Sequence, residues 1–140
     1  MKQRYNASML KIPLKTKARQ EIVDITALLQ KIVREEKFDD GVCVVYSPHT
    51  TGAISVNENA DPDVKKDLTA YLNKAIPQDN NFAHMEGNSD AHIKGSLMGF
   101  SQTFIVEQGT IQLGTWQGIF FMEFDGPRNR EIWLKLISAV

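Results

Sequence analysis

The chain has 140 residues, a length that fits one domain. Apolar residues make up 42%, enough for a real core, which excludes wholesale disorder. With 16 Lys+Arg against 17 Asp+Glu the formal charge is -1, which argues against nucleic-acid binding through a broad electrostatic footprint, and the single cysteine excludes an internal disulfide.

In chain order, the first residues, Met1 to Asn6, lack the apolar run of a signal peptide, and no later stretch approaches the roughly 20 apolar residues of a membrane span. A cytoplasmic protein acting away from membranes is expected. Residues 2–12 read as an edge strand and Gln20 to Ile25 as a second strand rich in β-branched residues. Ile25, Leu28, Leu29, Ile32 and Val33 then fall at helical spacing, with Asp24 or Thr26 as the cap. Gly41 to Ser47 and Thr51 to Val56 are of strand length and character, and Cys43 belongs to the first as a buried residue. Asp61-Pro62-Asp63 opens a second helix, with Asp as N-cap and Pro at the first helical position. Val64, Leu68, Tyr71, Leu72 and Ala75 make its expected buried face, and Pro77 ends it.

Residues 77–90 form a long polar loop, a kind of segment that is often functional in compact domains. Ser89 or Asp90 caps a short helix running to about Met98. Thr103 to Val106 and Thr110 to Leu113 read as a hairpin around Gln108-Gly109, and Ile119 to Phe124 as a central strand. After the turn Asp125-Gly126-Pro127-Arg128, the alternation of Ile132, Leu134 and Leu136 predicts a last, half-buried strand. The expected class is α+β: a mainly antiparallel β-sheet sandwich with about three helices, in a single domain spanning 1–140. GxGxxG and the P-loop pattern are absent.

All three histidines lie in turn-bearing, polar contexts: His49 at the break between two strands, His84 in the long loop, His92 near the start of the short helix. Three neutral imidazoles with an open position are a common way to hold a catalytic divalent metal, zinc or magnesium here, and a position near a helix N-terminus, which disfavours an imidazolium, places His92 favourably for that role. Capping or surface histidines are the plainer alternative. Glu58 and Asp90 are the candidate catalytic carboxylates. Glu58 follows an apolar strand and has no obvious local task, which suits a proton-transfer group. Asp90 is a fourth ligand, a residue that orients a histidine, or simply the helix cap. Asn57, Asn88, Lys94, Thr115, Trp116 and Arg128 are candidate ligand contacts. Gly87 to Lys94 brings backbone N–H groups, a helix N-terminus and a lysine together, chemistry suited to phosphate. Arg128 on its tight turn adds a guanidinium. Trp116, bracketed by Gly114 and Gly118, stacks on a planar ring or packs in the core.

Four blocks then resemble a known family. They are Ser47-Pro48-His49-Thr50-Thr51 followed by Asn57 to Val64; Glu86 to Lys94; Leu113 to Gly118; and Asp125-Gly126-Pro127-Arg128. Together, in this order, they resemble the YjbQ-like family, whose members are usually described as secondary thiamine-phosphate synthases. The resemblance implies a homotrimer, a polar pocket near the subunit boundary, and a metal-compatible histidine cluster at His49, His84 and His92. It also implies a weak side activity: joining a pyrimidine methyl diphosphate to a thiazole phosphate with release of pyrophosphate. Gly52 stands where the family pattern has Ala, a departure that bears on local packing. A metal-dependent phosphate-ester hydrolase and a non-catalytic binder of a phosphorylated metabolite are the two alternatives.

Overall fold

A computed structural model describes residues 9–139. The strand at the end of the chain shows how the sequence builds the molecule. In β8 (Asn129–Ser138) alternate residues are buried, from Arg130 through Ile132 and Leu134 to Leu136. That period-2 pattern lays one face on the core and leaves the other outside. β8 pairs antiparallel with β1 (Leu10–Lys15) on one side and with β3 (Gly41–Tyr46) on the other. β5 (Ser101–Glu107) and the two-residue β6 (Thr110–Ile111) complete a five-stranded sheet of order β1-β8-β3-β5-β6. The turn between β5 and β6 uses Gln108 and Gly109, both at positive φ, the backbone that a two-residue hairpin loop demands. β1 is indeed an edge strand and carries Pro13 where an edge tolerates it. Residues 2–8 of the strand expected there lie outside the described residues.

The second sheet has three strands, β2 (Glu21–Asp24), β7 (Gln117–Glu123) and β4 (Gly52–Glu58), with β7 in the centre. β7 is nearly all apolar because both of its faces are covered. Ile119 and Phe121 face the main core between the sheets, where Leu29 and Val33 of α1 (Thr26–Glu35) also pack. Phe120 and Met122 face a second core, closed by Leu72 of α2 (Pro62–Ala75) and Ala91 of α3 (Ser89–Met98). The architecture is the antiparallel α+β sandwich with three helices that the sequence predicts.

Local details differ from expectation where tertiary packing decides. α1 has Ile25 at its N-cap with no side-chain cap; Asp24 instead accepts the Thr26 N–H and hydroxyl at 3.0 and 2.6 Å. α2 starts as predicted, with Asp61 accepting the Asp63 N–H at 2.9 Å, but only Leu72 is buried. Tyr71 is 70% exposed, because α2 touches the sheet along a narrow stripe. The cap residue of α3 is Asn88, and neither Ser89 nor Asp90 takes that place.

Candidate functional site

The break between β3 and β4 positions the first group of residues. Ser47 is buried and its hydroxyl donates to the Gly52 carbonyl at 2.8 Å, which closes the loop that carries Pro48, His49, Thr50 and Thr51. Beside it stand the N-terminal turn of α3 and the start of β8. Together they enclose a polar cavity of about 360 Å³ lined by His49, Thr50, Thr51, Glu86, Asn88, His92, Asp125, Arg128 and Arg130.

Carboxylates fix both guanidinium groups. Arg130 is 6% exposed; its Nε donates to Glu123 Oε2 at 2.7 Å and its Nη2 to Glu123 Oε1 and to the Thr51 hydroxyl. Its Nη1 has no partner among the described residues. Thr16 also donates to Glu123, at 2.9 Å. Burial pushes the Glu123 carboxyl up, but the bonds from Arg130, the Asp125 N–H and Thr16 outweigh it and hold the group below its ordinary value. Arg128 is more open. Its Nη2 donates to Asp125 Oδ2 at 3.0 Å and its Nε to the Asp125 carbonyl at 2.7 Å. Asp125 accepts in turn from Asn88 Nδ2 at 2.8 Å, so one carboxylate joins the β7–β8 turn to the start of α3. Asn88 makes no side-chain cap, and its buried Oδ1 has no partner among the described residues.

The His49 and Phe121 rings stand T-shaped with centroids 6.5 Å apart, and His49 Nε2 accepts the Glu131 backbone N–H at 2.8 Å. Desolvation, then the charge of Arg130, lowers its pKa. His92 lines the same cavity. On its other side, His92 and His84 lie edge to face with centroids 5.5 Å apart. They line a second, apolar cavity of about 400 Å³ with Phe82, Ala83 and Ile93. The three histidines are thus divided between adjacent cavities, with His92 common to both. Among the described residues, no group of three His, Cys, Asp or Glu side chains is placed to hold a metal ion. A three-histidine centre does not fit the donors as they stand, because the Nε2 lone pair of His49 is already engaged.

Asp90 and Lys94, expected near a ligand, are instead fully buried. Lys94 donates to Asp90 at 3.0 Å and to Asn73 at 2.9 Å, and Arg19 donates to both Asp90 oxygens. Burial raises the Asp90 pKa, but the bonds from Arg19 and Lys94 win and lower it. This pair anchors α3 and lines neither cavity.

Asn57, Glu58, Thr115 and Trp116 form another group. Glu58 pairs with Gln117 at one end of β4, whereas Gly52, beside the polar cavity, pairs with Glu123 at the other. Six residue steps at ~3.4 Å separate the two ends by about 20 Å. Asn57 accepts the Glu58 N–H at 2.7 Å, and Glu58 Oε2 is buried without a partner among the described residues. Thr115 is exposed and Trp116 is 65% exposed, so this indole is not core.

Arg130 and Asp125 escaped sequence reasoning. A signal for Arg130 existed: it falls in phase with the buried positions of β8, where a charge requires a partner. Asp125 carried no comparable mark, since turn aspartates are common.

Residues 10–139 match the family described as UPF0047 protein YjbQ-like. The UPF0047 protein MJ1081 of Methanocaldococcus jannaschii is 55% identical over 130 residues, covering 93% of this chain and 94% of its own. The UPF0047 protein YugU of Bacillus subtilis is 47% identical, with 93% and 100% covered. A crystal structure of an uncharacterized YjbQ/UPF0047 protein from Clostridium acetobutylicum superposes with a TM-score of 0.88 at 52% identity, covering 91% of this chain and 99% of that one. A hypothetical protein from Aeropyrum pernix gives 0.89 at 31% identity, covering 95% and 100%. With the same sandwich and nearly end-to-end likeness in sequence, this chain belongs to the YjbQ-like (UPF0047) family.

Proposed function

We propose that the polar cavity binds the phosphate end of a phosphorylated small molecule, and that the chain is an enzyme acting on it with a secondary thiamine-phosphate synthase activity. The observation that carries the reading is the meeting of Arg128, Arg130 and the N-terminus of α3 around one polar cavity. Helix N–H groups and guanidinium donors are the usual partners of phosphate. Glu123 and Asp125 hold the two guanidinium groups before a ligand arrives, which lowers the cost of ordering them. The neighbouring apolar cavity suits the organic body of the same molecule.

In the synthase reaction the thiazole nitrogen attacks the pyrimidine methylene carbon. A C–N bond forms, the C–O bond to the diphosphate breaks, and pyrophosphate leaves with the electron pair. Arg128, Arg130 and the helix N-terminus bind the departing charge. Glu58, Asn57, Thr115 and Trp116 are too distant to serve the same cavity within one chain. We place them in a neighbouring subunit's site, in a homotrimer. The outer face of the five-stranded sheet supports association: Tyr46, Ile105 and Ile137 are 42, 58 and 48% exposed, around Val42 and Val44. A divalent ion, zinc or magnesium, enters this proposal through His84 and His92, and metal analysis of the purified protein decides it.

Incubation with the pyrimidine diphosphate and the thiazole phosphate tests the reading directly, with pyrophosphate release as the measure. Release that disappears in Arg128→Ala supports it; release of phosphate from simple phosphomonoesters instead marks a hydrolase. Ligand binding without any turnover marks a binder. Mixed oligomers of Glu58→Gln and Arg128→Ala subunits regain activity if the two groups meet across a boundary.

A further inference from the structure

We infer that His49 is a hydrogen-bond donor of fixed tautomer, its proton held on Nδ1 and offered to the anion in the polar cavity, and that it is not a metal ligand. The inference rests on the phosphate reading of that cavity for the identity of the acceptor, and on geometry alone for the tautomer.

A neutral imidazole has one nitrogen that accepts and one that donates. The Nε2 of His49 accepts the Glu131 backbone N–H at 2.8 Å, so in the neutral ring Nδ1 carries the proton. The donor on the other side of this bond is main chain and cannot rotate away. β3 ends at Tyr46, opposite Trp133, so the Glu131 N–H lies beyond the end of that ladder. His49 gives it the acceptor that the departing strand no longer supplies. The bond gives a strand-end N–H its acceptor at a solvent-exposed position, which favours it from the backbone side as well.

Nδ1 is then the nitrogen left for function. It has no protein partner among the described residues, and it is not one of the buried polar atoms that lack one, which are Glu58 Oε2 and Asn88 Oδ1. It therefore meets open space, and the space the ring lines is the polar cavity. Burial, then the charge of Arg130, opposes a second proton, while Glu131 and Glu123 favour one more weakly. Binding a metal at Nδ1 would require an imidazolate, or loss of the bond to Glu131. His49 and Arg130, whose Nη1 has no partner among the described residues, line the same cavity and each bring a donor there for an oxyanion.

The test is a long-range 1H–15N correlation spectrum of the 15N-histidine-labelled full chain at neutral pH, free and then titrated with inorganic phosphate and with zinc. The free protein should show His49 protonated on Nδ1 and unprotonated on Nε2. Phosphate should shift its Nδ1, and zinc should leave it unchanged. An Nε2–H tautomer, or zinc coordination at His49, overturns the inference even if phosphate binds. Failure of inorganic phosphate to bind, with the Nδ1–H tautomer present, overturns the phosphate reading and the donor role together. His49→Gln keeps an acceptor near Glu131 but deletes the Nδ1 donor, and should weaken phosphate binding about tenfold, the loss of one charge-assisted bond. His49→Asn places an amide N–H where Nδ1 stood and should retain most of the affinity. Equal loss in both variants overturns the donor role.

Discussion

Asp90 and Lys94, one helical turn apart on α3, form an ion pair of 3.0 Å in which neither side chain is exposed. Removing one partner of such a pair strands the other charge in low dielectric. Lys94→Met is expected to destabilise the protein by about 3 kcal/mol, measured by urea unfolding. A loss within about 0.5 kcal/mol would show that Arg19 alone satisfies Asp90, and that Lys94 does not anchor the helix.

Acid should act through the same carboxylate and through Glu123. Both have folded pKa values below their ordinary 3.8 and 4.5. A depressed carboxyl stabilises the fold above its unfolded pKa, and that stability is lost as pH falls through the folded value. Unfolding free energy should therefore hold at neutral pH and fall as pH drops below about 4.5. Glu123→Gln should flatten that fall. An unchanged slope would contradict the role given to the Arg130 pair.

Gly52 predicts a packing effect. A Cβ there would stand 2.4 Å from Phe121 Cζ, inside the main core. The ring must move or tilt, so Gly52→Ala should cost about 1–3 kcal/mol by overpacking. Because His49 touches the same ring, the His49 resonances should shift in this variant. A neutral substitution would mean that Phe121 repacks freely.

Arg128 separates binding from stability. Its side chain is 53% exposed and its partner Asp125 also accepts from Asn88. Arg128→Ala should change unfolding free energy by less than about 1 kcal/mol. Phosphate affinity should fall by about tenfold or more, as for a charge-assisted bond, which calorimetry with inorganic phosphate measures. Unaltered affinity would remove Arg128 from the site.

Legibility followed the range of the forces involved. Alternation in β8, helical spacing in α1 and the Asp-Pro opening of α2 are local patterns, and the chain declares them. The site depends on longer contacts. His49, His92 and Arg128 were visible as chemistry, and the fold brings them to one cavity. Asp90 and Lys94 carried the same polar appearance, yet their partners Arg19 and Asn73 are remote in sequence and draw them inward. Likewise, the backbone N–H that occupies His49 lies 82 residues away, and nothing near His49 announces it. The separation of Glu58 and Trp116 from the cavity reflects the length of β4, which matters only once Gly52 and Glu58 are known to lie on one straight strand.

β7 contributes Ile119 and Phe121 to one core and Phe120 and Met122 to the other, so the two apolar layers share a single wall. Neither layer can come apart while the other stays dry. The domain should then melt as one cooperative unit, and the β7 amides should be among the last to exchange their hydrogens with deuterated solvent, opening only when the whole molecule does.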